Sequence, residues 1–147
     1  MLTAADLTQA DRMGRDGTPS GCGGKACPGG IGTPGTRFFK TFNFTNIAAA
    51  PACITVTINA ALGGAGDIES AAYLGSYDPT NLCLNYLGDS GVVGLGTTLG
   101  SVSYSFVVPA NSTFVVVVNT TGTTTSSTFS GTVSGFFDNT PGPGPCP

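Results

Sequence analysis

The chain has 147 residues, only 13 of them formally charged, and a net charge of -3 with no histidine and no tryptophan. That length suits one domain with its own core. The missing histidine removes the commonest general base and metal ligand. A body without a basic face argues against nucleic acid as a partner, and no apolar run approaches the roughly 20 residues that span a bilayer.

The first element is an arm. Its start, MLTAADLTQADRMGRDG, lacks the basic and then apolar regions of a secretory signal, so any such signal is removed or lies outside this sequence. LTAADLTQADRM fits either a short helix opened by Thr3 or a strand that pairs elsewhere, and periodicity does not decide between them. SGCGGKACPGGIGTPGT follows, dense in Gly and Pro, which makes residues 1–36 an arm and a cysteine-pinned loop.

Strand patterns begin at residue 37. RFFKTFNFTN puts Phe38, Phe42 and Phe44 on one parity, and CITVTIN alternates Ile54, Val56 and Ile58 against Thr55 and Thr57. SAAYLGSY, SVSYSFVVP, STFVVVVN and TFSGTVSGFF continue the series, the second placing Val102, Tyr104 and Phe106 on one face. Clusters of Gly, Pro, Asn and Asp separate them, the residues that turns require. Six or more short strands with turns about every ten residues predict an antiparallel β-sandwich or jelly roll over residues 37–138. Residues 139–147 end in PGPGPCP, which withholds backbone donors and predicts an extended Pro/Gly tail.

Five cysteines predict an oxidising compartment. The expected pairing joins Cys22 to Cys27 across CGGKAC, and Cys53 to Cys83. Cys146 is left over, either bonded to another molecule or an unpaired end. Zinc is a weaker account of these thiols, because 29 residues separate Cys53 from Cys83 and no histidine assists.

Residues 66–91, GDIESAAYLGSYDPTNLCLNYLGDSG, hold four of the eight acids and no base. Gathered carboxylates repel one another unless separated, protonated or bridged by a cation. Calcium accepts six to eight oxygens, and this stretch predicts a calcium site from Asp67, Glu69, Asp78, Asn81 and Asp89, with Asn85 as a further amide oxygen. Nothing matches the spacing of an EF-hand loop. The plainer account is that the four acids keep one face soluble.

Charge is also uneven along the chain. All five bases, Arg12, Arg15, Lys25, Arg37 and Lys40, lie in the first 40 residues with three acids, giving +2, and the remaining 107 residues carry five acids and no base. That polarity favours head-to-tail contact between copies, with chance placement as the plainer account.

Catalysis finds little support. Paired carboxylates such as Asp67 with Glu69 or Asp78 suffice for glycoside cleavage, but the chain offers no Trp and four Tyr to line a groove. Serine hydrolysis lacks its histidine and a G-x-S-x-G elbow, and CGGKAC is not a phosphate-binding loop. Asn-X-Thr/Ser sequons occur at Asn111 and Asn119, and at Asn43, the weakest because it falls inside an expected strand.

CITVTINAALGGAGDIESAAYLGSYDPTNLCLNYLGDSG, followed by SVSYSFVVPANSTFVVVVNTT, resembles modules of large secreted and surface proteins of bacteria, similar to the pre-peptidase C-terminal β-sandwich domains. The likeness covers about residues 20–135, with CGGKACPG and YLGSYDPTNLCLNYLGDSG among its most specific elements. It implies a calcium-associated β-sandwich without catalysis of its own, with Cys53 and Cys83 at the positions of a cysteine pair. This chain departs from the pattern in its two added ends, residues 1–19 and PGPGPCP. The combined expectation is a non-enzymatic extracellular or cell-surface subunit that polymerises with copies of itself, an arm adding a strand to the next sheet. The alternative is a module that binds carbohydrate or a cell surface.

Overall fold

The structure, a computed structural model, describes residues 1–63, 66–92, 94–123 and 128–135. The expected C-terminal tail and Cys146 lie outside the described residues, as does the end of the last expected strand.

Eight antiparallel strands form two packed sheets, and among the described residues there is no helix. They are β1 (Leu7–Gln9), β2 (Arg37–Asn46), β3 (Ala52–Ala60), β4 (Ile68–Leu74), β5 (Tyr86–Asp89), β6 (Ser101–Val108), β7 (Ser112–Thr120) and β8 (Phe129–Ser134). One sheet has the order β1-β2-β7-β4-β5 and the other β6-β3-β8. This is the expected β-sandwich. The arm whose conformation the sequence left open contributes β1, paired with β2 by Leu7 opposite Phe39 and Gln9 opposite Arg37.

The inner core follows from strand alternation. Ile54, Val56 and Ile58 of β3 and Val102, Tyr104 and Phe106 of β6 point at Phe114, Val116 and Val118 of β7 across the sandwich. At about 25 cal/mol per Å² of apolar surface, this burial is the main force holding the layers together. The polar groups inside it are satisfied: Ser70 Oγ bonds the Tyr104 hydroxyl at 2.8 Å and donates to the Val117 carbonyl at 2.9 Å. Fully buried Asn46 donates its amide to the carbonyls of Val108 and Pro109, tying β2 to the turn after β6.

A second apolar cluster covers the outer face of the large sheet. Ala71, Tyr73, Val115, Val117 and Phe39 pack there beneath Met13 of the arm and Leu82 of the loop over residues 75–85. Hence the run Phe114–Val118 is apolar on both parities, the pattern of a strand covered on both faces. The arm is therefore a third layer on the sandwich.

Two disulfides anchor that layer. Cys22 bonds Cys53 of β3, and Cys27 bonds Cys83 of the loop over residues 75–85, with sequence separations of 31 and 56. The four expected cysteines are all bonded, but the expected partners are exchanged. CGGKAC is not a closed local ring. It is a strap between the small sheet and a loop of the large one, and it joins the two layers covalently.

Candidate functional site

The acid-rich stretch lies beneath the arm, and the arm supplies its counter-charge. β4 turns Glu69 onto the outer face with Ala71 and Tyr73, opposite Asn119 of β7. Glu69 is 4% exposed. Its Oε1 accepts hydrogen bonds from the Met13 backbone N–H at 3.2 Å and from Asn119 Nδ2 at 3.0 Å, and its Oε2 lies 3.8 Å from Arg12 Nη1. Burial outweighs these contacts and pushes its carboxyl up to about 7. The same desolvation lowers the Arg12 guanidinium.

The neighbouring acids are met in turn. Asp67 accepts from Thr97 Oγ1 at 2.5 Å and lies 3.6 Å from Arg15 Nη1. Asp89 accepts from the Tyr86 hydroxyl and from Lys25 Nζ at 3.1 Å. The same ammonium also binds Asp16 at 2.8 Å and the Thr18 carbonyl at 2.7 Å. Lys40 pairs with Asp6 at 3.6 Å, and buried Arg37 donates to the carbonyls of Ala10, Gly35 and Thr121. All five bases are thus spent within the molecule.

Asp78 stands apart, half-buried in the loop over residues 75–85. Its carboxylate accepts from the Thr80 backbone N–H and hydroxyl at 2.8 and 2.7 Å, which holds it below the usual aspartate range, and its carbonyl accepts from the Asn81 N–H. Asp78 and Asn81 build a turn. Asn85 is also a turn residue, with φ of 63° and its amide donating to Ser76.

The five expected calcium ligands therefore do not make one coordination sphere. Asp67, Glu69 and Asp89 each face an arm cation, Asp78 and Asn81 belong to a separate turn, and among the described residues no three acidic, histidine or cysteine side chains gather as a metal group. These residues do not fit the ion, and no step is assigned to it. The physical reason is that the arm folds back in cis and places ammonium and guanidinium groups where a bridging cation was expected. The charge asymmetry along the sequence marks an internal contact.

The sequons divide by burial. Asn111 is exposed in the turn before β7 with φ of 50°, and Asn43 is exposed on β2. Asn119 is 5% exposed and spends its amide on Glu69 and on the Thr120 carbonyl, so the folded chain does not offer it for glycosylation.

The arm also seals one side of the sandwich. Ser20 N–H donates to the Asp89 carbonyl of β5 at 3.0 Å, and the Ser20 carbonyl accepts from Ser105 of β6 at 2.8 Å, so one residue bridges the two sheets. Gly17 N–H donates to the Gly91 carbonyl at 2.7 Å. Gly91 has φ of 60°, and a Cβ there would run into the Thr18 carbonyl. The substitution Gly91→Ala is expected to destabilise the fold by roughly 2 kcal/mol through backbone strain and a lifted arm. The check is a lower melting temperature together with faster tryptic cleavage after Arg12 and Arg15; unchanged cleavage would show that the arm tolerates the methyl.

No protein-family model, no curated protein and no solved structure matches this chain. The fold and site geometry define an all-β, disulfide-strapped sandwich whose two bridges fit an oxidising environment.

Proposed function

We propose that this chain is a non-enzymatic structural β-sandwich of the extracellular space or cell surface, whose work is to associate with copies of itself. One observation carries the reading: the arm consumes every base of the chain inside the molecule, through ion pairs from Arg12, Arg15, Lys25 and Lys40 and carbonyl bonds from Arg37. Much of the outward face of the small sheet is hydroxyl and amide. On the small sheet, Ser105 and Ser134 flank Thr55, Ser103 and Thr132 flank Thr57, and Ser101 and Ser130 flank Asn59. Such a surface offers little charge repulsion between copies.

The arm is not a spare strand in this reading. Leu2 is fully buried in the inner core, β1 already pairs with β2, and both cysteines of the strap are bonded to the body. Donation to a neighbour would require breaking these contacts. Sedimentation and negative-stain microscopy of the oxidised full chain are expected to show association that grows with concentration and is equal in calcium and in chelator. A chain that stays monomeric into the millimolar range sinks the proposal, and association that needs calcium would restore the ion.

A second reading has one observation in its favour. A groove lined by Thr8, Gln9, Asp11, Thr36, Pro79 and Thr80 opens between the arm and the turn at Asp78. It would suit a neutral polyhydroxyl ligand such as a carbohydrate, although Tyr73 and Tyr104 are buried in the core clusters and do not form a stacking platform.

A further inference from the structure

The arm does not lie flush on the sheet it covers. Residues 13–15 on the arm side, with Glu69, Ser70, Asp89 and Ser90 on the sheet side, line a small cavity with about 10 Å³ open to the centre of a water molecule. Its walls are polar yet shielded: those four sheet-side residues are each 5% exposed or less.

The groups lining it do not saturate one another. Arg15 Nη1 is buried and has no hydrogen-bond partner among the described residues, and the acid it pairs with, Asp67 Oδ2, lies 3.6 Å away, a charge contact too long for a hydrogen bond. Ser90 Oγ accepts from the Ser70 N–H at 3.2 Å, which leaves the Ser90 hydroxyl hydrogen free to donate. Beside these donors are acceptors with lone pairs to spare. Glu69 Oε2 is 3.8 Å from Arg12 Nη1, again too long for a hydrogen bond, and the two oxygens of Asp89 accept from Lys25 and from Tyr86. A charged donor buried without an acceptor costs free energy, and the arm would bear that cost at the point where it is held.

We infer that this cavity is a binding site for a single water molecule, which accepts from Arg15 Nη1 and the Ser90 hydroxyl, donates to the carboxyl groups of Glu69 and Asp89, and so joins arm to sheet. Size and charge select the occupant. One water needs about 10–15 Å³ by this measure, and a larger solute does not fit. An anion would face Glu69 and Asp89, a metal cation would face the Arg15 guanidinium, and neither serves donors and acceptors together. Water does both, and its four partners lie within the roughly two to four bonds that buried waters make. The site is independent of the self-association proposed above and stands or falls without it.

A high-resolution crystal structure of the oxidised full chain tests this, with a second crystal soaked in bromide. One solvent peak is expected within hydrogen-bond distance of Arg15 Nη1 and of at least one of Glu69, Asp89 and Ser90, with no anomalous signal from bromide. A bromide signal there makes the cavity an anion site and overturns the inference. An Arg15 side chain turned to bond Asp67 directly, with no density in the cavity, overturns it as well. The variant Arg15→Met keeps a long side chain and removes the donor, and its crystal structure is expected to lose the peak. A peak that persists without the guanidinium overturns Arg15 as a partner and the inference with it. Should the variant not fold, the density of the wild-type chain decides alone.

Discussion

Removing the Cys27–Cys83 bond by the double substitution Cys27→Ser, Cys83→Ser is expected to cost about 4 kcal/mol, the largest single effect in this fold. In the chain-entropy account a bridge stabilises by shrinking the unfolded ensemble, and closing loops of 31 and 56 residues gives values near this size for each bond. Here the strap adds a folded-state component. Cys27 packs in the outer cluster with Met13, Tyr73 and Leu82, so freeing it loosens the lid over Glu69. The Cys22→Ser, Cys53→Ser pair is expected to cost slightly less, because its loop is shorter. The two losses are not expected to add, since only four residues separate Cys22 from Cys27 and either bridge holds the strap near its place. Denaturant unfolding of the two double variants and the quadruple variant measures this. If both pairs cost under 1 kcal/mol, the arm is held by its ion pairs and apolar contacts, and the strap is incidental.

The sandwich was legible in the sequence because β2, β3, β6 and β7 are long enough to show their parity. The period-two pattern of CITVTIN reappears as buried Ile54, Val56 and Ile58 against outward threonines. β1 and β5 were not legible, being three and four residues long, too short for any period to establish itself. The third layer left a sign in the sequence: FVVVV and SAAYL are apolar on both parities, which a sandwich strand exposed on one face cannot afford. The cysteine connectivity was not readable, since four cysteines permit three pairings and spacing alone does not choose. The counter-charge was visible as composition and misplaced as geometry. Bases confined to residues 12–40, and four of the eight acids gathered in residues 67–89 without a base, look like two ends of different molecules until the arm is seen to fold back.

Stability is expected to fall as pH rises from about 4.5 to about 7, opposite to the ordinary behaviour of a carboxylate in an ion pair. Glu69 titrates near 4.5 when unfolded and near 7 in the fold, because burial disfavours its charged form more than Arg12, Asn119 and the Met13 N–H favour it. Between those values the folded state binds the proton and the unfolded state does not. The contribution is therefore fully present below pH 4.5, declines through the window and is gone above 7. Its full size is roughly 3 kcal/mol at 1.36 kcal/mol per pH unit. Asp16 and Asp78, lowered by bonds from Lys25 and Thr80, act with the opposite sign and below the ordinary aspartate range, so they do not mask this window. Glu69→Gln keeps an amide oxygen for Met13 and Asn119 and cannot ionise. Its unfolding free energy is expected to be flat from pH 4.5 to 7 and to exceed that of wild type at pH 8. Wild-type stability that instead climbs through the window, with Glu69→Gln below it, would show that the Arg12 pair outweighs burial. The clasp between arm and sheet would then be an ionic lock, where burial argues for a carboxyl that holds its proton up to about pH 7.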